Sequence, residues 1–268
     1  QSETNEMSQN TTIVNYTGPT ESVVTGEEMT QDQTQMVPTL NQFIDLCNQQ
    51  NVEEAYALLS DECKEELYPQ LADFQESYYN QVFGGQKKNV NIENWVGNIY
   101  RIEINDDALS TGVYNEENKV QDYITITTDD AGEYRLNINN YIGRDEINKT
   151  NSYNDIEITV LRSDSYMDYQ TYTYKIVNNS DNEILLDDKL DGNSMYIEDQ
   201  NGVRYTAYIH EISDAELVIG TKQTREITIK YYNKYGSTKE IKRIGFSRII
   251  LNNNVNEARK YGELQIEL

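Results

Sequence analysis

Few side chains in this sequence can do covalent or metal chemistry: two cysteines, Cys47 and Cys63, the single histidine His210, and an acidic run from Asp187 to Glu198, DDKLDGNSMYIE. A nucleophilic cysteine needs a base within hydrogen-bond reach, and His210 belongs to a distant part of the chain. Two Cys and one His cannot complete a zinc site of the usual kind without carboxylate help. The acidic run matches a calcium loop at its first, fifth, sixth and twelfth positions. At its third, however, stands Lys189, a cation where an oxygen ligand is required, so the run reads as an Asp-Gly turn between strands. No cofactor is expected. The cysteines have two readings. They are small buried apolar side chains, or they form a disulfide worth about 3 kcal/mol through its constraint on the unfolded chain, a bond suited to an exported protein. The expectation adopted is a Cys47–Cys63 bond.

Tyrosine dominates the aromatic content, with 22 against four Phe and one Trp. Tyr172 and Tyr174 alternate in step with Ile176 and belong to a core, and Trp95 is also expected inside. Tyr208 and Tyr232 fall opposite their local apolar set. With His210 they form a candidate partner-binding group, since an amphipathic ring among Asn and Asp can stack on a sugar or on a protein partner. The plain alternative is ordinary surface tyrosine.

The charge narrows the partners. Lys and Arg total 22 against 46 Asp and Glu, a formal net charge of -24, spread along the chain, so a phosphate backbone is repelled and nucleic acid is not expected. A protein or a cell-wall carbohydrate remains compatible. No stretch approaches the roughly 18 apolar residues of a membrane span, so membrane attachment would act only through an anchor outside this chain. Residues 1–37 carry too few apolar groups to offset the entropy of ordering. They are expected as a disordered polar linker or stalk, such as removal of a signal peptide or anchor would leave, and this places the protein outside a bacterial cell.

The elements that must position these groups begin at Pro38. Leu40, Phe43, Ile44 and Cys47 recur at helical spacing, with Thr39 and Gln42 in a capping-box pattern. Asn51 and Glu54 repeat that pattern before a second helix that turns Val52, Ala55, Tyr56 and Leu59 inward, and Ser60 is placed to cap a third. Pro69 suits the first position of a further helix through Leu71, Phe74 and Tyr78, ending by Gly84 and Gly85. The period then changes to two: Tyr100, Ile102 and Ile104; Ile124 and Ile126; Tyr134, Leu136 and Ile138. The NEEN turn at residues 115–118 and the DDAGE loop at 129–133 join these strands. From Ser152 onward short strands alternate with polar turns, as in a β-sandwich. The polar segment 145–155 is expected to hold the domain boundary, giving units 38–148 and 149–268.

FIDLCNQQNVEEAYALLSDECKEEL at 43–67 and ITITTDDAGEYRLNI at 124–138 resemble the opening helices and closing hairpin of the extracellular NTF2-like domain of methicillin-resistance-type penicillin-binding proteins. YKIVNNSDNEILL, MYIEDQNGVRYTA and LVIGTKQTREITIKY are similar to the immunoglobulin-like domain of secreted lipoproteins of Gram-positive bacteria. The resemblance implies an α+β NTF2-like domain, a helical hairpin with a curved antiparallel sheet, followed by an all-β immunoglobulin-like sandwich. It carries no catalytic residue across.

The function that follows is a non-enzymatic extracellular interaction module of a membrane-anchored or lipid-anchored bacterial surface protein, serving adhesion, sensing or assembly. A scaffold component of a conjugation or secretion machine and an enzyme using an NTF2-like pocket are the alternatives. Against the enzyme stands the predicted concave face: Tyr100, Ile102, Ile104, Ile124, Ile126, Tyr134, Leu136 and Ile138 with Phe43, Tyr56 and Phe74. That set contains no acid or imidazole for proton transfer. Of the nearest acids, Glu103 lies on the opposite face, and Asp122 is in register with Ile124 but at a strand start, where solvent is expected.

Overall fold

The capping signal that starts the first helix is Thr30, not Thr39. In the computed structural model, which describes residues 16–107 and 119–268, helix α1 spans Gln31–Asn48. Thr30 Oγ1 accepts the Gln33 amide (3.2 Å) and Gln33 Oε1 accepts the Thr30 amide (2.8 Å). The apolar stripe extends back to Val37, and its burial carries the helix through Pro38 at the loss of one rung. The expected linker is therefore ordered over part of its length. Upstream of α1, Val23 donates to Asn94 O (2.8 Å) and Ser22 Oγ to Trp95 O (2.6 Å), pinning a small hairpin to the first strand. Residues 1–15 and the NEEN turn lie outside the described residues.

Two short helices follow, α2 (Val52–Ala57) and α3 (Asp61–Leu67). Asn51 occupies the cap position of α2, but its side chain makes no capping bond. Ser60 caps α3 as expected, accepting the Cys63 amide at 3.0 Å. Helix α4 (Leu71–Phe74) starts two residues after Pro69, so Pro69 is not its first helical residue; Gln70 is the cap, its amide donating to Asp73. A π-helical turn, Gln75–Tyr79, then leads into α5 (Asn80–Val82). The wider turn brings two consecutive tyrosines, Tyr78 and Tyr79, to the buried side.

These helices cover an antiparallel sheet in the order β1 (Lys88–Val96), β2 (Ile99–Asp106), β3 (Val120–Thr128) and β4 (Tyr134–Asn137). Ile102, Ile104, Ile124, Ile126, Leu136 and Ile138 all turn inward, with Phe43 and Phe74 against them, as the alternation requires. Asp129 Oδ1 closes the DDAGE loop by accepting the amides of Ala131 and Glu133. Trp95 departs from expectation. It sits at a bulge in the β1–β2 register, half-buried on the outer face, edge-on to Tyr123 and beneath Arg101. Alternation from Val90 and Ile92 puts Asn94, not Trp95, at the buried position ahead of the bulge.

The remaining strands form two facing sheets. One has the order β12-β7-β6-β5, with β5 Tyr141–Tyr153, β6 Ile156–Tyr166, β7 Gln170–Asn178 and β12 Thr224–Tyr231. The other runs β10-β9-β13-β8-β11, with β14 (Tyr261–Glu267) also on β13 (Ile241–Ile250). Its shorter members are β8 (Ile184–Leu185), β9 (Met195–Asp199), β10 (Arg204–Thr206) and β11 (Val218–Ile219). Tyr172, Tyr174 and Ile176 face Ile197, Ile244 and Phe246 in one shared core. The architecture is thus helices and antiparallel sheets combined, with a sandwich-like second half.

Segment 145–155, expected as a polar junction, is the second half of β5 and the tight turn into β6. Its polarity is that of an edge strand with few buried positions, which on sequence alone is hard to distinguish from a linker. The change of core falls within the β5–β6 pair: Tyr141 and Tyr166 pack into the first core, and Ile156, Ile158 and Val160 into the second. Arg144 fastens the two parts: it reaches Asp164 (2.9 Å) on β6 and Glu65 (2.8 Å) and Glu66 (3.3 Å) on α3. Tyr141 and Tyr166 donate their hydroxyls to Asp164 and Glu66.

Candidate functional site: a stacked tyrosine and lysine face

A single antiparallel bridge, Ala207 opposite Tyr231, ties the end of β10 to the end of β12. Tyr208 N–H donates to Lys230 O (2.8 Å) and Tyr232 N–H to Thr206 O (3.0 Å). With Ala207, Ile209, Ile229 and Tyr231 buried, the alternation sends Tyr208, Lys230 and Tyr232 outward together. The two rings stack, 18° from parallel with centroids 3.3 Å apart. Lys230 Nζ lies 4.4 Å from the Tyr208 centroid and 4.2 Å from that of Tyr169, in the turn after β6. Tyr169 in turn stacks on Tyr166 at 4.4 Å.

The result is a continuous ladder from the Arg144 network to the surface. Its inner faces are already used, because Lys230 occupies the slot between Tyr169 and Tyr208 and donates cation–π attraction to both. Glu211, 3.7 Å away, balances its charge. Burial, then the Glu66 carboxylate, pushes the Tyr166 phenol above its usual range. At the outer end Tyr232 remains 55% exposed, a large ring held by its neighbour. His210 is exposed on the adjoining 3-10 turn, Ile209–Glu211, outside the stack. The structure therefore brings together Tyr208 and Tyr232 and leaves His210 beside them. Tyr169 and Lys230 were missed, because the β12–β7 pairing sets Lys230 opposite Thr171, near Tyr169, and the β10–β12 bridge then brings Tyr208 to them.

The cysteines are not bonded. Both are buried free thiols, and burial pushes each up to about 12. Cys63 faces the backbone amide of Ile138 at the end of β4, whereas Cys47 lies beside Tyr78 and Tyr79. Helical periodicity put both on the core side, correctly, but they look into different parts of that core.

Asp122 also overturns expectation: it is 3% exposed. Its Oδ2 accepts Tyr78 Oη–H (2.7 Å) and the Asn139 amide (3.0 Å), and its Oδ1 accepts the Asn140 amide (2.9 Å). Asn139 and Asn140 are both left-handed, with φ of 60° and 62°, so their amides converge on one carboxylate. Burial raises the Asp122 pKa against the opposing pull of these donors.

In the acidic loop, Asp188 meets Arg248 and Arg259, each at 3.1 Å, and Glu198 meets Arg204 and Arg243, each at 2.8 Å. Asp191 accepts Ser194 Oγ–H and the Asn193 amide. Among the described residues no group of three or more His, Cys, Asp or Glu is placed to hold a metal ion, and no helix is long and apolar enough to cross a membrane. No protein-family model, curated protein or solved structure matches this chain.

Proposed function

We propose that this protein is a non-enzymatic extracellular interaction module of a membrane-anchored or lipid-anchored bacterial surface protein. In this reading an NTF2-like unit precedes an immunoglobulin-like sandwich, and the ligand is a protein or a cell-wall carbohydrate. The observation that carries it is Tyr232. An exposed aromatic ring ordinarily gives up rotamer freedom when a partner covers it, but Tyr232 is stacked on Tyr208, which Lys230 braces from behind. A large ring fixed before contact is what an interface anchor requires.

The enzymatic alternative would rest on Asp122 and Tyr78, a desolvated carboxylate facing a phenol. Both Asp122 oxygens are engaged by two backbone amides and the Tyr78 hydroxyl, which accounts for the burial as support of the 139–140 turn. Around them Phe43, Tyr68, Phe74 and Tyr78 pack ring against ring, supporting a filled cone. The test is retention of the labelled chain on Gram-positive cells. Tyr232→Ala lowers retention at least tenfold with an unchanged thermal melt, whereas equal retention of the variant refutes Tyr232 as the anchor.

A further inference from the structure

The geometry points to a groove for a neutral glycan chain, crossing from the sandwich to the first sheet on either side of Tyr235. This rests on the interaction-module reading and adds a ligand class and a second surface to it. Two open clefts adjoin there. One, of about 310 Å³, lies between the start of β7, the end of β6 and the 233–241 loop. The other, of about 410 Å³, lies over the outer face of β3 and the start of β5. Asp145, Ser165 and Tyr235 line both, so the two are halves of one depression divided by a tyrosine. Each half is within the lower part of the roughly 300–1,000 Å³ range of small-molecule sites.

The divider is held in place. Tyr235 N–H donates to Met167 O (2.9 Å), and at the root of its loop the buried Asn233 amide donates to Gln170 Oε1 (2.9 Å). Lys239 Nζ braces the same loop through Asn233 Oδ1 (2.8 Å) and Lys234 O (2.7 Å). A half-buried ring so fixed offers an apolar edge or face without ordering cost, which suits the C–H side of a pyranose.

The lining chemistry selects the ligand. Thr125 and Thr127 project from β3 on the side away from the core, with Thr128, Asn98 and Asn137 beside them. Thr125 Oγ1 is buried and has no partner among the described residues, an unsatisfied hydroxyl just beneath the floor of the groove. On the other side Ser163, Gln170 and Asn233 continue the same mixture. Two cations of the groove are already spent, Arg144 on Asp164, Glu65 and Glu66 and Lys239 on the loop and over the Tyr205 ring. What remains is hydroxyl and amide with one further cation, Lys234, outnumbered by the carboxylates Asp145, Glu240 and Glu62, in a chain of net charge -24. Polyanions are repelled and a neutral polyhydroxylated chain is matched.

The test applies the full chain to an array of neutral and acidic glycans, then titrates the best neutral binder by calorimetry. Binding to neutral oligosaccharides is the expected result. Tyr235→Ala lowers affinity at least tenfold, and Thr127→Trp, a surface substitution that fills the far half without touching the core, does the same because the ligand spans both halves. Leu190→Ala, at an exposed position that lines neither cleft, leaves this affinity within twofold of wild type. Thermal melts accompany each variant, and Thr127→Trp decides the matter if Tyr235→Ala unfolds. Retention of no neutral glycan, preference for acidic glycans or peptides, or an unaffected Thr127→Trp variant would overturn the groove. Cell retention lost in Tyr232→Ala but kept in Thr127→Trp would remove the groove while leaving the broader reading intact.

Discussion

Replacing Asp122 by alanine removes the acceptor shared by three donors and leaves each without its charged partner. Tyr78 Oη–H is buried and the Asn139 amide part-buried, each with Asp122 Oδ2 as the acceptor found for it, while the Asn140 amide retains a longer bond to Tyr123 O at 3.2 Å. One buried donor stranded at about 1–3 kcal/mol and a part-buried one that costs less, with the small cavity left by the side chain, give a loss of about 2–4 kcal/mol. Asp122→Asn conserves volume and separates the two contributions. Its amide nitrogen can point at Asn140, the one donor with a second acceptor, so its cost is about 1–2 kcal/mol. Urea unfolding followed by tryptophan fluorescence reports this locally, because Trp95 is the only tryptophan and packs on Tyr123 at 5.4 Å, the residue next to Asp122.

The pH dependence has a definite sign. Burial raises the folded pKa of Asp122, so the folded state keeps its proton where the unfolded chain has released it. This group's contribution to stability is complete below the ordinary carboxylate range and declines as pH rises through the raised value. Asp122→Asn abolishes that component of the slope. An alanine variant within 0.5 kcal/mol of wild type, or an unchanged slope in the asparagine variant, would refute the assignment of Asp122 as the anchor of the 139–140 turn.

Two further outcomes follow from buried groups. A thiol reagent at pH 8 modifies neither cysteine in the native protein, because burial pushes both pKa values up to about 12. After denaturation without reductant both react, and a failure to react would restore the disulfide. Gly245 stands opposite Tyr196 across the β13–β9 pair, and a methyl group there would collide with the Tyr196 ring, itself 1% exposed. Gly245→Ala is expected to cost about 1–3 kcal/mol in the same urea assay, and a neutral effect would mean that the ring moves aside freely.

Local periodicity determined which face of each element is buried. The spacing of Leu40, Phe43, Ile44 and Cys47, and the alternations through Ile102, Ile124, Leu136 and Tyr174, follow from 3.6 and two residues per repeat, and all these residues are buried. The outward placement of Tyr208 and Tyr232 came from the same rule. Capping was less legible, since Thr30 and Thr39 carry equivalent patterns and only the burial of Val37 upstream of Pro38 chooses between them.

Tertiary structure decided everything that depends on where a face points once it is buried. Cys47 and Cys63 share a core without being bonded. Asp122 is drawn inside by two left-handed residues from a different segment and by a π-helical turn that aims Tyr78 at it. Lys230 meets Tyr169 through the β12–β7 pairing and Tyr208 through a single bridge between the edges of two sheets. Arg144, on a strand too polar to be distinguished from a linker, becomes the clasp between helix α3 and strand β6. Sequence spacing specifies a side chain's direction relative to its own backbone, but partners from distant segments are set by the packing of whole elements. Hydrogen bonds and ion pairs at these sites are accordingly properties of the assembled fold.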